Sequence, residues 1–221
     1  MRYVPDKWIK GCLAVLLITA AGLMSGCAAG RYVAYAIAGD GTDRVVHSKA
    51  QYRGLEGKSY AVLVGMDEYT HFTYPGAAYG ICREVTARIA AGVPGSVPMD
   101  PQKIVQFQRE NPYWITVPYG QLIERLGVER LIVIDLVEYT LREPGNSHVW
   151  QGQIVANVGV AEAGEGDGNS QAFATTVKGR FPDNSSKVGV LNSDDKTIQF
   201  GLLAEFANRT ANLFRDHEET R

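Results

Sequence analysis

"LIERLGVERLIVIDLVEYTL", residues 122–141, decides the fold. Leu122, Ile123 and Leu126, with Tyr119 before them, fall on one stripe of a helix that begins at Pro118. Gly127 follows the last apolar residue of that stripe and closes the helix, since glycine accepts the left-handed conformation of a C-terminal cap. Two residues later Arg130–Leu141 opens a long, branched apolar run. Such a run reads as the strongest strand in the chain, central in its sheet. Asp135 interrupts it, and a carboxylate inside a sheet costs free energy unless it is hydrogen-bonded, paired or wet. Strict alternation puts Asp135 on the face of Tyr139 and Glu138 on the other. A wet sheet end, or a neighbouring amide or arginine, is the expected solution; an acid in a functional pocket is the alternative.

Upstream, "SYAVLVG" (59–65) is a second apolar run of strand length. Residues 66–76 read as a loop ending at Pro75-Gly76, and a helix to about Ala90 follows. Ala78, Ile81, Cys82, Val85 and Ile89 share one of its faces. A short strand is expected near Ser96–Pro98. Asp100-Pro101 then starts a helix with a capping carboxylate and proline in the first turn, and the helix runs to about Arg109. Downstream, Trp150, Ile154, Ala156, Val158 and Val160 alternate with Gln151, Gln153 and Asn157, the pattern of an antiparallel strand with one wet face. "QAFATTVKGRF" (171–181) returns as the second arm of a hairpin, and Ser193 or Asp194 caps a last helix whose buried side is Ile198, Leu202, Phe206 and Leu213. Crossovers in the early half and a meander in the late half fit one α/β domain. It has a mixed sheet, helices packed on that sheet, a C-terminal antiparallel meander and a final helix.

The 221 residues suffice for one domain of ordinary size, and 45% apolar against 21% charged residues is globular composition. Net charge is −2, and −4 once residues 1–26 (with Arg2, Lys7, Lys10 and Asp6) are set aside. A nucleic-acid binder needs a basic stripe, so nucleic acid is not an expected partner. Of the three cysteines, Cys12, Cys27 and Cys82, the last lies on the apolar side of its helix and reads as a small buried hydrophobe.

The beginning of the chain has its own grammar. Arg2, Lys7 and Lys10 precede an apolar core from Cys12 to Met24, which is too short to span roughly 30 Å of hydrocarbon comfortably but right for a signal peptide, with an uncleaved signal anchor from about Gly11 to Gly30 as the alternative. Met24-Ser25-Gly26-Cys27 then resembles the lipobox of bacterial lipoproteins. That resemblance implies cleavage before Cys27, whose sulfur carries the diacylglyceryl group (palmitate-type chains), with Cys27 as lipid-attachment residue. Each buried methylene contributes about 0.8 kcal/mol, so two or three chains hold a protein on a bilayer. Ala28 in place of an aspartate favours the outer membrane over inner-membrane retention. The expected organisation is a signal peptide over 1–26, a lipidated tether over 27–44, an α/β envelope domain over 45–216 and a tail over 217–221.

The layout of residues 59–181, with Leu126-Gly127-Val128-Glu129-Arg130 between helix and strand, is similar to a class of bacterial envelope domains. The class includes the amino-terminal domain of TolB, the curli secretion lipoprotein CsgG and the penicillin-binding-protein activator LpoB. These act by binding, so the resemblance implies no catalytic residues.

Catalytic grammar is missing from the sequence. His47, His71, His148 and His217 have no metal-ligand spacing. There is no nucleophile elbow, phosphate-cradling loop or dinucleotide fingerprint. Glu165, Asp167 and Asn169 alternate as in a calcium loop, but Thr176 stands where its bidentate glutamate belongs. No cofactor or metal is therefore expected. Tyr113, Trp114 and Tyr119 are expected to fill the space between helix and sheet, with an exposed recognition patch as the alternative. The expectation is a non-catalytic, lipid-anchored binding or assembly factor facing the periplasm. Its partners are the membrane, through the anchor, and another envelope protein. The rivals are an envelope hydrolase assembled from scattered residues such as Asp135 and His148, and a ring-forming secretion-channel subunit.

Overall fold

The computed structural model describes residues 45–142, 145, 148–164, 168–182 and 193–220. Cys27 with its leader and tether, and Glu165 and Asp167, lie outside the described residues. Contacts divide the chain into two compact units, His47–His217 and Met1–Val46 with Glu218–Arg221. The described residues of the latter are strand residues. Among the described residues no helix is long and apolar enough to cross a membrane.

The larger unit is α/β. In chain order its described elements are β1 (Val45–Ser48, which starts in the other unit), β2 (Ser59–Gly65), α1 (Glu68–Thr73), α2 (Ala77–Gly92), β3 (Val97–Pro98) and α3 (Pro101–Glu110). A 3-10 turn (Trp114–Thr116), α4 (Tyr119–Leu126), β4 (Arg130–Arg142), β5 (Trp150–Glu162), β6 (Phe173–Phe181), α5 (Asp195–Asn212) and β7 (His217–Thr220, which after His217 belongs to the other unit) follow. Five strands form one mixed sheet in the order β3-β2-β4-β5-β6. β2 runs parallel to β3 and β4, and the β4–β5 and β5–β6 pairs are antiparallel. β1 pairs with β7 in a separate two-stranded sheet, so residues 217–220, read from sequence as a tail, are strand.

Local signals carry most of these boundaries. The Asp100 side chain accepts from Gln102 N at 2.8 Å, Asp194 accepts from Thr197 N at 2.8 Å, and Gly127 takes φ 64° at the end of α4. Residues 66–76 are not all loop. Asp67 accepts from the Thr70 amide at 2.9 Å and from its hydroxyl at 2.6 Å, which nucleates the six-residue α1. That cap lies below the length at which apolar periodicity can be read.

α2 and α5 cover one face of the sheet. Tyr60 Oη donates to Thr86 O at 3.0 Å, joining β2 to α2. Gly152 and Gly179 leave room for α5: a Cβ on Gly152 would sit 2.8 Å from Leu202 Cδ2, and one on Gly179 3.2 Å from Phe206 Cα. The core between helices and sheet includes Ile132, Ile134, Val158, Val160, Leu202 and Phe206. Cys82 is buried there and donates to Val62 O at 3.3 Å; desolvation pushes its thiol up to about 12, which makes it inert at neutral pH.

α4 packs on the opposite face, against β4 and β5. It covers only the half that contains Leu131 and Val133. β4 carries a bulge at Val137, since Leu136 pairs with Ala156 and Glu138 with Val155. The extra residue reverses the alternation. Tyr139, opposite Ile154, is buried on the helix face, where desolvation raises its phenol to about 12. Asp135, opposite Asn157, shares the other face with Glu138. This corrects the pairing of Asp135 with Tyr139 expected from strict alternation. Gln151, expected on the wet face, is buried.

Candidate functional site

The chain leaves β2 through α1 into α2 on one face, and reaches β4 through α4 on the other. The crevice beyond the carboxyl end of such a strand is where open α/β sheets place ligands. A cavity of about 630 Å³ opens there. Its floor is Val64, Gly65 and Met66, and its walls come from α1, the start of α2, the end of α3 and the 3-10 turn. The turn packs over Gly65: a Cβ at this position would be in ordinary contact with Ile115 Cδ1 at 3.5 Å and Trp114 Cη2 at 3.6 Å. Gln108 Nε2 donates to Val64 O at 3.0 Å and fixes α3 over the strand. A second depression of about 590 Å³ shares Pro75, Tyr79, Val105 and Arg109 with the first, so the space continues as a groove between α2 and α3.

The walls are mainly apolar, with Glu68, His71 and Arg109 as the charged or imidazole groups and the Tyr79 phenol beside them. No serine, threonine or cysteine lines the cavity among the described residues. Around it stand large apolar side chains in water: Tyr69 is 77% exposed, Phe72 87%, Tyr113 79% and Ile115 61%. Tyr69 and Phe72 lie three apart on α1, the helix that contributes Glu68 and His71 to the wall. The aromatic segment 113–119 therefore divides. Trp114 is buried against Gly65 as a filler, while Tyr113 points outward. Sequence reasoning missed Tyr69 and Phe72 because the short helix that carries them was read as loop.

Asp135 does not line this cavity but stands beside its floor: it pairs with Gly65, and its Oδ1 lies 3.6 Å from where a Cβ on Gly65 would be. It is exposed on the open half of the sheet, in a shallow depression of about 390 Å³ with Asn157, Thr176, Gln171 and Tyr119. Its exposure leaves it to solvent, as expected for a wet sheet end. His148 is exposed in the turn between β4 and β5. Asp135 is seven residues from the end of β4, and at 3.3 Å per residue the turn is roughly 20 Å away. The structure does not bring these two residues together. His71 lines the cavity, His47 is exposed in β1 and His217 is partly buried in β7. Among the described residues no three His, Cys, Asp or Glu side chains gather as a metal site would require.

No protein-family model matches the chain, and no curated protein sequence matches it. Solved structures do. The PelC dodecamer from Paraburkholderia phytofirmans is similar over 77% of this chain and 98% of its own, at 10% identity and a TM-score of 0.42. Lipoprotein GNA1162 from Neisseria meningitidis is similar over 70% and 98%, at 14% identity and a TM-score of 0.44. The hypothetical protein CT253 from Chlamydia trachomatis is similar over 74% and 94%, at 12% identity and a TM-score of 0.42.

Proposed function

We propose that this chain is a lipid-anchored protein of the bacterial cell envelope, held on the outer membrane and facing the periplasm. In this reading it binds or helps assemble another envelope protein without catalysing a reaction. The observation that carries the binding role is the exposure of Tyr69, Phe72, Tyr113 and Ile115 on the two segments, α1 and the 3-10 turn with the residue before it, that wall the groove at the carboxyl end of β2. Large aromatic groups in water are costly to keep and are enriched at protein contacts. A groove that, among the described residues, offers apolar walls and no serine, threonine or cysteine suits capture of a partner better than acyl transfer. The anchor is supported by the leader and by Met24-Ser25-Gly26-Cys27. The distance between Asp135 and His148 speaks against the hydrolase built on them.

Two measurements test the proposal. Intact mass of the protein from cell membranes is expected to show a chain that begins at acylated Cys27; a retained leader or a bare thiol overturns the anchor. Crosslinking in intact cells from a photoreactive group at position 72 is expected to capture one envelope protein reproducibly. Purified protein that hydrolyses an ester, glycan or peptide at enzyme-like rates overturns the non-catalytic reading.

A further inference from the structure

The cavity at the end of β2 carries two charges of opposite sign on different walls. Glu68 comes from α1 and Arg109 from α3, and both are exposed. Among the described residues neither side chain makes a hydrogen bond or an ion pair, so the two do not reach each other. Glu110, the next acid along α3, is held elsewhere: its Oε1 accepts from Gln106 Nε2 at 2.8 Å. His71 lies on the same helix as Glu68, three residues on, and the rest of the cavity lining is mainly apolar. A single exposed charge is ordinary. Two of opposite sign on the walls of one apolar cavity fit a ligand that carries both.

The groove also has a direction. Glu68 lines the cavity alone, whereas Arg109 lines both the cavity and the depression that continues it between α2 and α3. Gln102 and Gln106 line that continuation. From Arg109 back to Gln102 α3 extends roughly 10 Å at about 1.5 Å per residue, the length of about three residues of extended chain. A carboxylate seated on Arg109 therefore has room for more chain beyond it. A free C-terminus or a small zwitterion would leave this part of the groove empty.

We propose that the groove seats an extended internal segment of the partner protein, whose bulky apolar side chain fills the cavity while an acidic side chain pairs with Arg109 and a basic one with Glu68. The segment runs on past its acid for about three residues along the wall that Gln102 and Gln106 line. This rests on the partner-binding role given above to the same groove. Burial of the apolar side chain supplies most of the affinity. The two charges choose among apolar segments and fix their direction, since complementary charges at a rim give specificity more than affinity.

A positional-scanning library of acetylated, amidated heptapeptides, offered to the full chain in detergent, tests this. Both peptide ends are blocked, so only side-chain charges count. Wild type is expected to enrich a bulky apolar residue with Asp or Glu on one side of it and Lys or Arg on the other. Arg109→Glu is expected to exchange the acidic preference for a basic one and to keep the other two. Glu68→Lys is expected to exchange the basic preference for an acidic one. The peptide selected by wild type should bind each variant about fivefold more weakly. Both positions are exposed, and thermal melts check that the variants fold. A wild type without these charge preferences overturns the proposal, and so do variants that keep the wild-type preferences. A library that enriches nothing also overturns it, while crosslinking from position 72 still decides the partner-binding role by itself; failure of both removes that role as well.

Discussion

Arg130 Nη2 lies 2.9 Å from Glu162 Oε2, across the first rung of the β4–β5 ladder, with the two side chains only 15% and 17% exposed. The pair is tied on both sides. Arg130 Nε donates to Gly54 O at 3.0 Å, and the Tyr52 hydroxyl donates to the other oxygen of Glu162. Burial and the adjacent carboxylate hold the Tyr52 phenol well above its ordinary range.

Glu162→Gln leaves Arg130 half-buried with a neutral partner. It is expected to cost about 2 kcal/mol, less than the 3–5 kcal/mol of a fully buried pair because some solvent reaches this one. Urea denaturation reads the effect, and an unchanged midpoint with an unchanged slope would contradict it.

A second ion pair predicts a pH effect. Lys58 Nζ lies 2.8 Å from Glu129 Oε1, and the Ser59 amide donates to Oε2 at 3.1 Å. Hydrogen bonding from Lys58, then from the Ser59 amide, holds the Glu129 carboxyl at about 2. A carboxyl depressed in the folded state stabilises the fold above its unfolded value, near 4.3, and loses that contribution as pH falls towards 2. The stability gap between pH 7 and pH 3 is therefore expected to narrow in Glu129→Gln. Equal gaps in both proteins would remove Glu129 from the acid response.

Gly179 tests how closely α5 approaches the sheet. An added methyl would meet Phe206 Cβ at 3.1 Å and the helix backbone at 3.2 Å, and backbone cannot step aside as a flexible side-chain tip can. Gly179→Ala is expected to cost about 1–3 kcal/mol, the range for overpacking a filled interior. A melting temperature equal to or above wild type would show that the helix moves freely.

The exposed aromatics predict the opposite combination. Phe72→Ser with Tyr113→Ser touches nothing buried and should change stability by no more than about 0.5 kcal/mol. Crosslinking to the envelope partner should fall at least fivefold. Retention of full crosslinking would move the partner's site away from this end of the domain.

Much of the fold was legible because the chain marks it locally. Asp100-Pro101 and Gly127 each set a helix boundary through backbone geometry that few other residues satisfy. The branched runs of β2 and β4 could only be interior strands. Two things were not legible. α1 is a single capped turn and a half without a buried stripe, so the exposure of Tyr69 and Phe72 had no signal to announce it. The face of Asp135 depended on a bulge, and nothing in "IDLVEY" distinguishes an extra residue from an ordinary one. Gln151 is a third case: its pattern placed it in water, and the surroundings that bury it are tertiary.

The bulge at Val137 also bears on how this strand can change in length. Because the residue is supernumerary to the ladder, a chain lacking it would keep Leu136 and Tyr139 inside and Asp135 and Glu138 outside. Insertion or deletion of one amino acid elsewhere in β4 would turn half the strand inside out. Here it is neutral to sidedness, so homologous chains should show a one-residue gap in mid-strand with the hydrophobic rhythm intact on either side of it.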